Sequence, residues 1–347
     1  MMKRSHENYL TILLTVLVLI DSTVYSEVLF ECGWYKSHKK GHRNPLTNVS
    51  FIDSSVVTDR KYLKIKAKIP TIFANSFRKL EHVETLKLTS CGIFNIEPGA
   101  FTNLSKLVTL SFYENKIVNI KTGVFNNLLV TKLYLHRNQI EVIETHAFDD
   151  MPNLQTLKMN SNFISSWDSN WFRNTPQLRD LFFRRNQLEH IPSEAFQNIN
   201  GERNNGTQSG TKIYLSKNFI SSIDSDAFSG LRELSQLWLD RNELAELDEK
   251  LFSNMDYMDV INVSKNKLRN LPGNLLSSLK TDLLILDLSQ NHNISCLDYN
   301  IFTKVKMTKL ERISKLDCNC VKICVGRISK SGEDNEISSD CELVMRK

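Results

Sequence analysis

Residues Leu178–Leu188 read LRDLFFRRNQL. Leu178, Leu181 and Phe183 are apolar, Asn186 closes a turn and Leu188 follows it, while Asp180, Phe182, Arg184 and Arg185 fill the gaps. Apolar residues two apart describe a short strand with one buried face, which places Phe182 on the face toward solvent. Asn186 comes where the chain leaves the strand, and its side chain can satisfy backbone groups that no water reaches. The apolar positions are therefore read as core, and function is sought in the gaps.

Eight other segments carry the same spacing. Its polar closing residue falls at Cys91, Asn115, Asn138, Asn162, Asn186, Asn218, Asn242, Asn266 and Asn291, in steps of 24, 23, 24, 24, 32, 24, 24 and 25 residues. The second half of each unit adds another apolar column: Phe101, Phe125, Phe148, Phe172, Phe196, Phe228, Phe252 and Phe302, with Leu276 standing in once. A degenerate unit precedes these, with Leu63 and Ile65 strand-like and Ile69, Ile72, Phe77 and Leu80 matching the later half. One such unit cannot bury both its faces, but a stack buries a continuous core.

From about Tyr62 to Val305 the motif L-x-x-L-x-L-x-x-N/C-x-L resembles the typical extracellular leucine-rich repeat family, as in Toll-like receptor ectodomains and secreted repeat proteins. The resemblance implies an α/β solenoid, a superhelix of about ten repeats of ~24 residues with a concave parallel β-sheet and a cap at each end. Expected boundaries are a signal segment over 1–26, an N-terminal cap over 27–60, repeats over 61–305 and a cysteine-rich cap over 306–347. Lys304–Leu316 is read as a short basic helix. The 32-residue step contains Asn198–Thr211, NINGERNNGTQSGT, whose composition predicts a surface loop. That loop either grips a partner or is a tolerated insertion.

The N-terminus reads as a secretory signal: Lys3 and Arg4, then the apolar run Leu10–Ile20, then Val24-Tyr25-Ser26 before Glu27. That run is shorter than the roughly 20 residues a membrane span takes. Sequons at Asn48, Asn103, Asn205, Asn262 and Asn293 agree with a secreted, extracellular glycoprotein. Residues 1–26 carry two basic and two acidic side chains, so the formal net charge of +5 is unchanged by their removal. A modest excess of that kind speaks of solubility first and of an anionic partner second.

No G-x-S-x-G, H-E-x-x-H or glycine-rich phosphate loop occurs, so no enzyme, cofactor or metal site is implied. Cys91 sits at a repeat turn and is read as a buried free thiol. Cys32 lies at the opposite end from Cys296, Cys318, Cys320, Cys324 and Cys341, about 40 Å away at ~4.8 Å per repeat strand, beyond disulfide reach. The latter five cannot all pair among themselves.

Between the second and third apolar positions the nine units read Lys87, Ser111, Tyr134, Lys158, Phe182, Tyr214, Trp238, Asn262 and Asp287. Just before the closing residue they read Ser90, Glu114, Arg137, Ser161, Arg185, Lys217, Arg241, Lys265 and Gln290, with His136 and Arg184 adjoining. Stacked at about 4.8 Å, these columns make an aromatic stripe beside a cationic one. Tyr134, Arg137, Phe182, Arg184, Arg185, Tyr214, Lys217, Trp238, Arg241 and Lys265 are the candidate ligand-binding residues. The competing reading is that the aromatics stabilise the sheet and the charges are solvated. An acidic protein face or an anionic glycan suits such a stripe; nucleic acid is a minor option. A glycan on Asn262 is expected to stand on this face.

Asp317-Cys318-Asn319-Cys320 resembles the Cys-x-Cys start of the C-terminal caps of extracellular repeats. With the signal segment and no heptad run or membrane anchor, the chain is similar to the short, coil-less members of the secreted leucine-rich immune proteins of insects. Cys318 and Cys320 match that family's paired cysteines. The expected pairs are Cys320–Cys341 and Cys318 with Cys324 or Cys296, leaving a thiol either shielded or linked to a second chain. The resemblance implies recognition of microbial surfaces or of effector proteins in innate immunity. A developmental or adhesion protein and a secreted enzyme inhibitor are the alternatives.

Overall fold

The computed structural model describes residues 30–36, 44–49, 51–52, 61–101, 104–199, 210–231, 233–280, 282–295 and 297–309. The signal segment, Asn103, Asn205, the loop over 200–209 and Cys296, Cys318, Cys320, Cys324 and Cys341 lie outside them. For Cys32 and Asn48 the backbone alone is described. The chain divides into two compact units, 1–117 and 118–347.

In the first unit, strands Tyr62–Ala67, Thr85–Leu88 and Thr109–Ser111 pair in parallel, one turn per strand, with Leu63 opposite Leu86 and Leu86 opposite Leu110. An antiparallel hairpin, Phe30–Lys36 with Asn44–Val49, precedes them, and its first strand pairs antiparallel with Tyr62–Ala67. The amides and carbonyls on that side of the first repeat strand thereby find partners rather than an open edge. Ile52 bridges in parallel to Phe77, and the Arg78 guanidinium lies 3.6 Å from the centre of the Phe51 ring.

The second unit continues the same logic through Lys132–Tyr134, Thr156–Lys158, Asp180–Phe182, Thr211–Tyr214, Glu233–Trp238, Tyr257–Asn262 and Leu283–Asp287. The middle apolar residues face one another in register: Leu133, Leu157, Leu181, Ile213, Leu237, Ile261 and Leu286, all buried. The eight extra residues of the long step leave this register intact. Phe182 still pairs with Tyr214, and Phe196 still stacks on Phe228 at 5.1 Å.

One expectation is corrected here. Val305–Lys309 is not the start of a basic helix but a strand parallel to Leu283–Asp287, with Leu283 opposite Val305 and Ile285 opposite Met307. The physical reason is local: the neighbouring strand offers unpaired backbone groups, which a helix there would leave unmet. A 3-10 helix, Tyr299–Lys304, leads into this strand. Elsewhere the side of each turn away from the sheet is built from tight i→i+3 turns, such as Ala147 N–H to Glu144 C=O at 3.1 Å, and two-residue strands, such as Asn119–Ile120 with Val142–Ile143.

Each closing asparagine does the work the sequence assigns it. The Asn186 amide donates to the carbonyls of Phe183 (2.9 Å) and Met159 (3.1 Å), and its Oδ1 accepts from Ile164 N–H (3.2 Å). Asn218, Asn242, Asn266 and Asn291 repeat the pattern one turn on, so each turn's buried backbone is satisfied by the asparagine of the next. Cys91 fills the same slot with a weaker donor, its Sγ 3.5 Å from Ile65 C=O, and burial pushes its thiol up to about 11. It is free and buried.

The phenylalanine column stacks within each unit: Phe77 on Phe101 at 5.6 Å, Phe125 on Phe148 at 6.2 Å and Phe148 on Phe172 at 5.8 Å. Between Phe172 and Phe196 it is interrupted by Trp167. That indole lies 6.2 Å from Phe172, 4.8 Å from Phe196, 5.0 Å from Phe183 and 5.1 Å from Trp171, and its Nε1 donates to Ala195 C=O at 2.9 Å.

Candidate functional site

Alternation along each repeat strand sends the residue between two buried positions to the solvent face. Tyr134, Lys158, Phe182, Tyr214 and Trp238 are therefore consecutive neighbours across the second unit's sheet, in direct register. Phe182 and Tyr214 stack with ring centres 4.5 Å apart and planes 5° from parallel, and Tyr214 and Trp238 at 6.1 Å and 18°. Lys158 does not break the stripe. Its ammonium sits 4.9 Å from the Tyr134 ring centre and 5.2 Å from that of Phe182, filling the missing rung as a cation between two ring faces.

Gln236, two residues before Trp238 on the same strand, fixes the far end. Its Oε1 accepts from Tyr214 Oη at 3.0 Å and from Trp238 Nε1 at 3.2 Å, so both rings are oriented as well as stacked. Burial, with the nearby Asp180 carboxylate, raises the Tyr214 and Tyr134 hydroxyls above the ordinary tyrosine value and keeps them neutral. Sequence reading gave no role to Gln236, and Lys158 was legible only as a gap.

The cationic column has a backbone origin that composition hides. In every repeat the residue before the closing position has positive φ: Ser90, Glu114, Arg137, Ser161, Arg185, Lys217, Arg241, Lys265 and Gln290, all between 54° and 62°. From Arg137 to Lys265 each of these N–H groups bonds to a carbonyl of the next turn, as Arg185 to Ser216 (3.0 Å), Lys217 to Asp240 (2.9 Å) and Arg241 to Ser264 (2.9 Å). These side chains therefore leave the chain at a fixed place beside the aromatic ladder. Arg184, Arg185, Lys217 and Arg241 come together. Arg137 is separated from them by the Ser161 turn, and Lys265 continues the column beyond Arg241.

His136 stands at the ladder's other end, edge-on to Tyr134 at 6.0 Å. Burial, reinforced by Lys158 and Arg137, depresses its imidazole to about 4. An unfolded histidine titrates near 6.5, so between about pH 6.5 and about pH 4 the unfolded chain binds the extra proton and stability falls as the pH is lowered through that window. A thermal-denaturation series is expected to show Tm dropping across it and His136→Gln flattening the slope; an unchanged slope would remove His136 from that account.

Asn262, next on the ladder after Trp238, carries the sequon expected to place a glycan on this face. The residue is 9% exposed, and its Oδ1 accepts from Ser264 N–H (3.0 Å) and Oγ (2.7 Å), so in the folded chain the amide is turned into the surface. Asn293 is exposed. Away from the sheet, a hollow of about 130 Å³ beside Asp226, Phe228, Lys250 and Phe252 is smaller than an ordinary small-molecule site. Among the described residues no group of three His, Cys, Asp or Glu side chains could hold a metal, and no helix is long and apolar enough to cross a membrane.

The repeat and its asparagine ladder agree with a family model for the BspA-type leucine-rich repeat region, matched in six copies over residues 58–203 and 204–323. The chain belongs to this leucine-rich repeat family. No curated protein matches it significantly in sequence.

Among solved structures this leucine-rich repeat chain is similar to one of the Toll–Spatzle complex, a molecular hub in Drosophila development and innate immunity, at 17% identity and TM-score 0.56, over 67% of this chain and 29% of that one. The glycosylated form of that complex matches at 21% and 0.56, over 75% and 38%. A TLR13–ssRNA13 complex matches at 20% and 0.56, over 78% and 46%. The chain thus spans less than half the length of each. At such identities the likeness establishes the fold, a parallel-strand leucine-rich repeat solenoid like those of Toll and TLR ectodomains.

Proposed function

We propose that the chain is a secreted, non-enzymatic recognition protein of innate immunity that binds a protein or glycan through the solvent face of its second unit's sheet. The observation that carries this reading is the ladder Tyr134–Lys158–Phe182–Tyr214–Trp238, oriented by Gln236 and flanked by cations. Large rings held rigid at the surface are the side chains that dominate binding energy when a partner covers them, because little conformational freedom is left to lose. Structures of the same fold in complex with Spatzle and with a single-stranded RNA support a recognition role. The leader-like Lys3–Ser26 segment and the sequons support secretion.

The test is binding of purified protein to bacterial, fungal and host-cell surfaces. Wild type is expected to bind a microbial surface, and Tyr214→Ala with Trp238→Ala to weaken that by about 30-fold or more while the protein stays folded at the assay temperature, its Tm lowered by the lost stacking. Unaltered binding by the double variant would dismiss this face, and binding to host cells alone would favour the developmental or adhesion role.

A further inference from the structure

The positive-φ position of the repeat is one where Asn, Asp and Gly are at ease and long side chains are uncommon. Nothing in the turn requires a cation there, since Ser161 and Gln290 hold the same backbone. Yet Arg185, Lys217, Arg241 and Lys265 occupy it in four consecutive turns, and Arg184 adjoins the first three. Among the described residues only Arg241 of these has a carboxylate partner, Asp240 at 3.9 Å. The ammonium of Lys217 is held below the ordinary lysine value by desolvation and then by Arg241, Arg185 and Arg184, against a smaller opposing effect of the Asp240 carboxylate, so the like charges outweigh the one acid among them. A cluster of under-compensated cations is an anion site awaiting its counter-charge.

We propose that Arg184, Arg185, Lys217 and Arg241 form a comb for a linear sulfated glycan laid along the array against the aromatic ladder. The proposal rests on the reading of this face as the binding surface and names its ligand. The ladder itself argues against stacked bases. Phe182 has Lys158 on one face and Tyr214 on the other, and Tyr214 lies between Phe182 and Trp238, so neither ring has a free face for a base. The rings present their edges, whose positive rim suits acceptor oxygens. An extended acidic peptide fits less well: its same-face side chains recur every ~6.8 Å, against about 4.8 Å between teeth of the comb. A sulfated polysaccharide carries several anionic groups on each repeating unit, so sulfates are at hand for successive teeth without a strict two-residue spacing.

The probe is heparin, with the full chain titrated against it at several salt concentrations. Arg185→Asn, Lys217→Asn and Arg241→Asn together suit the positive φ, so this triple variant is expected to keep or slightly raise Tm while heparin affinity falls about tenfold or more. A control with the same loss of charge, Lys68→Gln, Lys106→Gln and Lys121→Gln at exposed sites outside the comb, is expected to stay within about twofold of wild type. Equal losses in the two variants would reduce the effect to net charge and overturn the proposal, as would unchanged affinity in the comb variant. Tighter binding of single-stranded RNA than of heparin at equal salt would overturn it in favour of nucleic acid. If the comb variant keeps its heparin affinity while Tyr214→Ala with Trp238→Ala still loses cell-surface binding, the glycan assignment falls and the binding face stands.

Discussion

Asn186→Ala is expected to destabilise the second unit by about 2–4 kcal/mol, because one buried N–H loses its partner at roughly 1–3 kcal/mol and two buried carbonyls each lose one of two donors. The groups are Met159 C=O, Phe183 C=O and Ile164 N–H, none of which has water at hand. Phe183 C=O keeps the Asn218 amide at 3.0 Å and Met159 C=O the Asn162 amide at 2.8 Å, so it is Ile164 N–H that is left without its partner. Against a domain stability of about 5–15 kcal/mol this is a large fraction. In a repeat array, moreover, one failed interface can uncouple the turns on either side. Urea denaturation followed by circular dichroism should show an earlier transition, with a plateau if the turns uncouple. Asn186→Cys should fall between wild type and alanine, since Cys91 shows the same slot served by a thiol at 3.5 Å. A loss under about 1 kcal/mol for alanine would mean that water replaces the amide, and the asparagine ladder would not be what holds the turns.

Trp167→Ala is expected to cost a comparable 3–5 kcal/mol, as for other large core truncations. The indole is 7% exposed and touches Trp171, Phe172, Phe183 and Phe196. Its removal opens a cavity where the phenylalanine column has no ring of its own to close the gap, and it leaves Ala195 C=O without the indole N–H. For a unit of this size the loss corresponds to a fall in Tm of about 6–20 °C. Trp167→Phe restores most of the volume and gives up the hydrogen bond, so about 1–2 kcal/mol is expected. If alanine and phenylalanine behaved alike, the hydrogen bond to Ala195 rather than packing would be the interaction that matters.

The aromatic face was partly legible in the sequence alone. Period-2 alternation told which residues leave the core, so Tyr134, Phe182, Tyr214 and Trp238 could be placed on one side and one stripe by counting. Their contacts could not. Whether neighbouring rings lie flat on one another, and whether an intervening lysine interrupts or completes the stack, depends on side-chain torsions that spacing does not constrain. Gln236 was silent for the same reason, because its role exists only across a strand pair. The basic residues could be counted into a column, but their positive φ could not be read. Glycine or asparagine would have signalled that geometry, and Arg, Lys and Ser do not. The basic helix expected after Lys304 failed because charge and length describe a free segment, whereas Val305–Lys309 lies next to a strand edge that pairs with it.

The sequence by itself determined the repeat, its step, the inward and outward assignment of each strand residue and the place of each asparagine, because these follow from periodicities that hold along any chain. Only the tertiary structure decided that Lys158 bridges two rings, that Trp167 interrupts the phenylalanine column and that Asn262 is turned into the surface. Each of these arises between turns some 24 to 32 residues apart. Their energy depends on distance and orientation across the stack, and those are fixed only once neighbouring turns have packed.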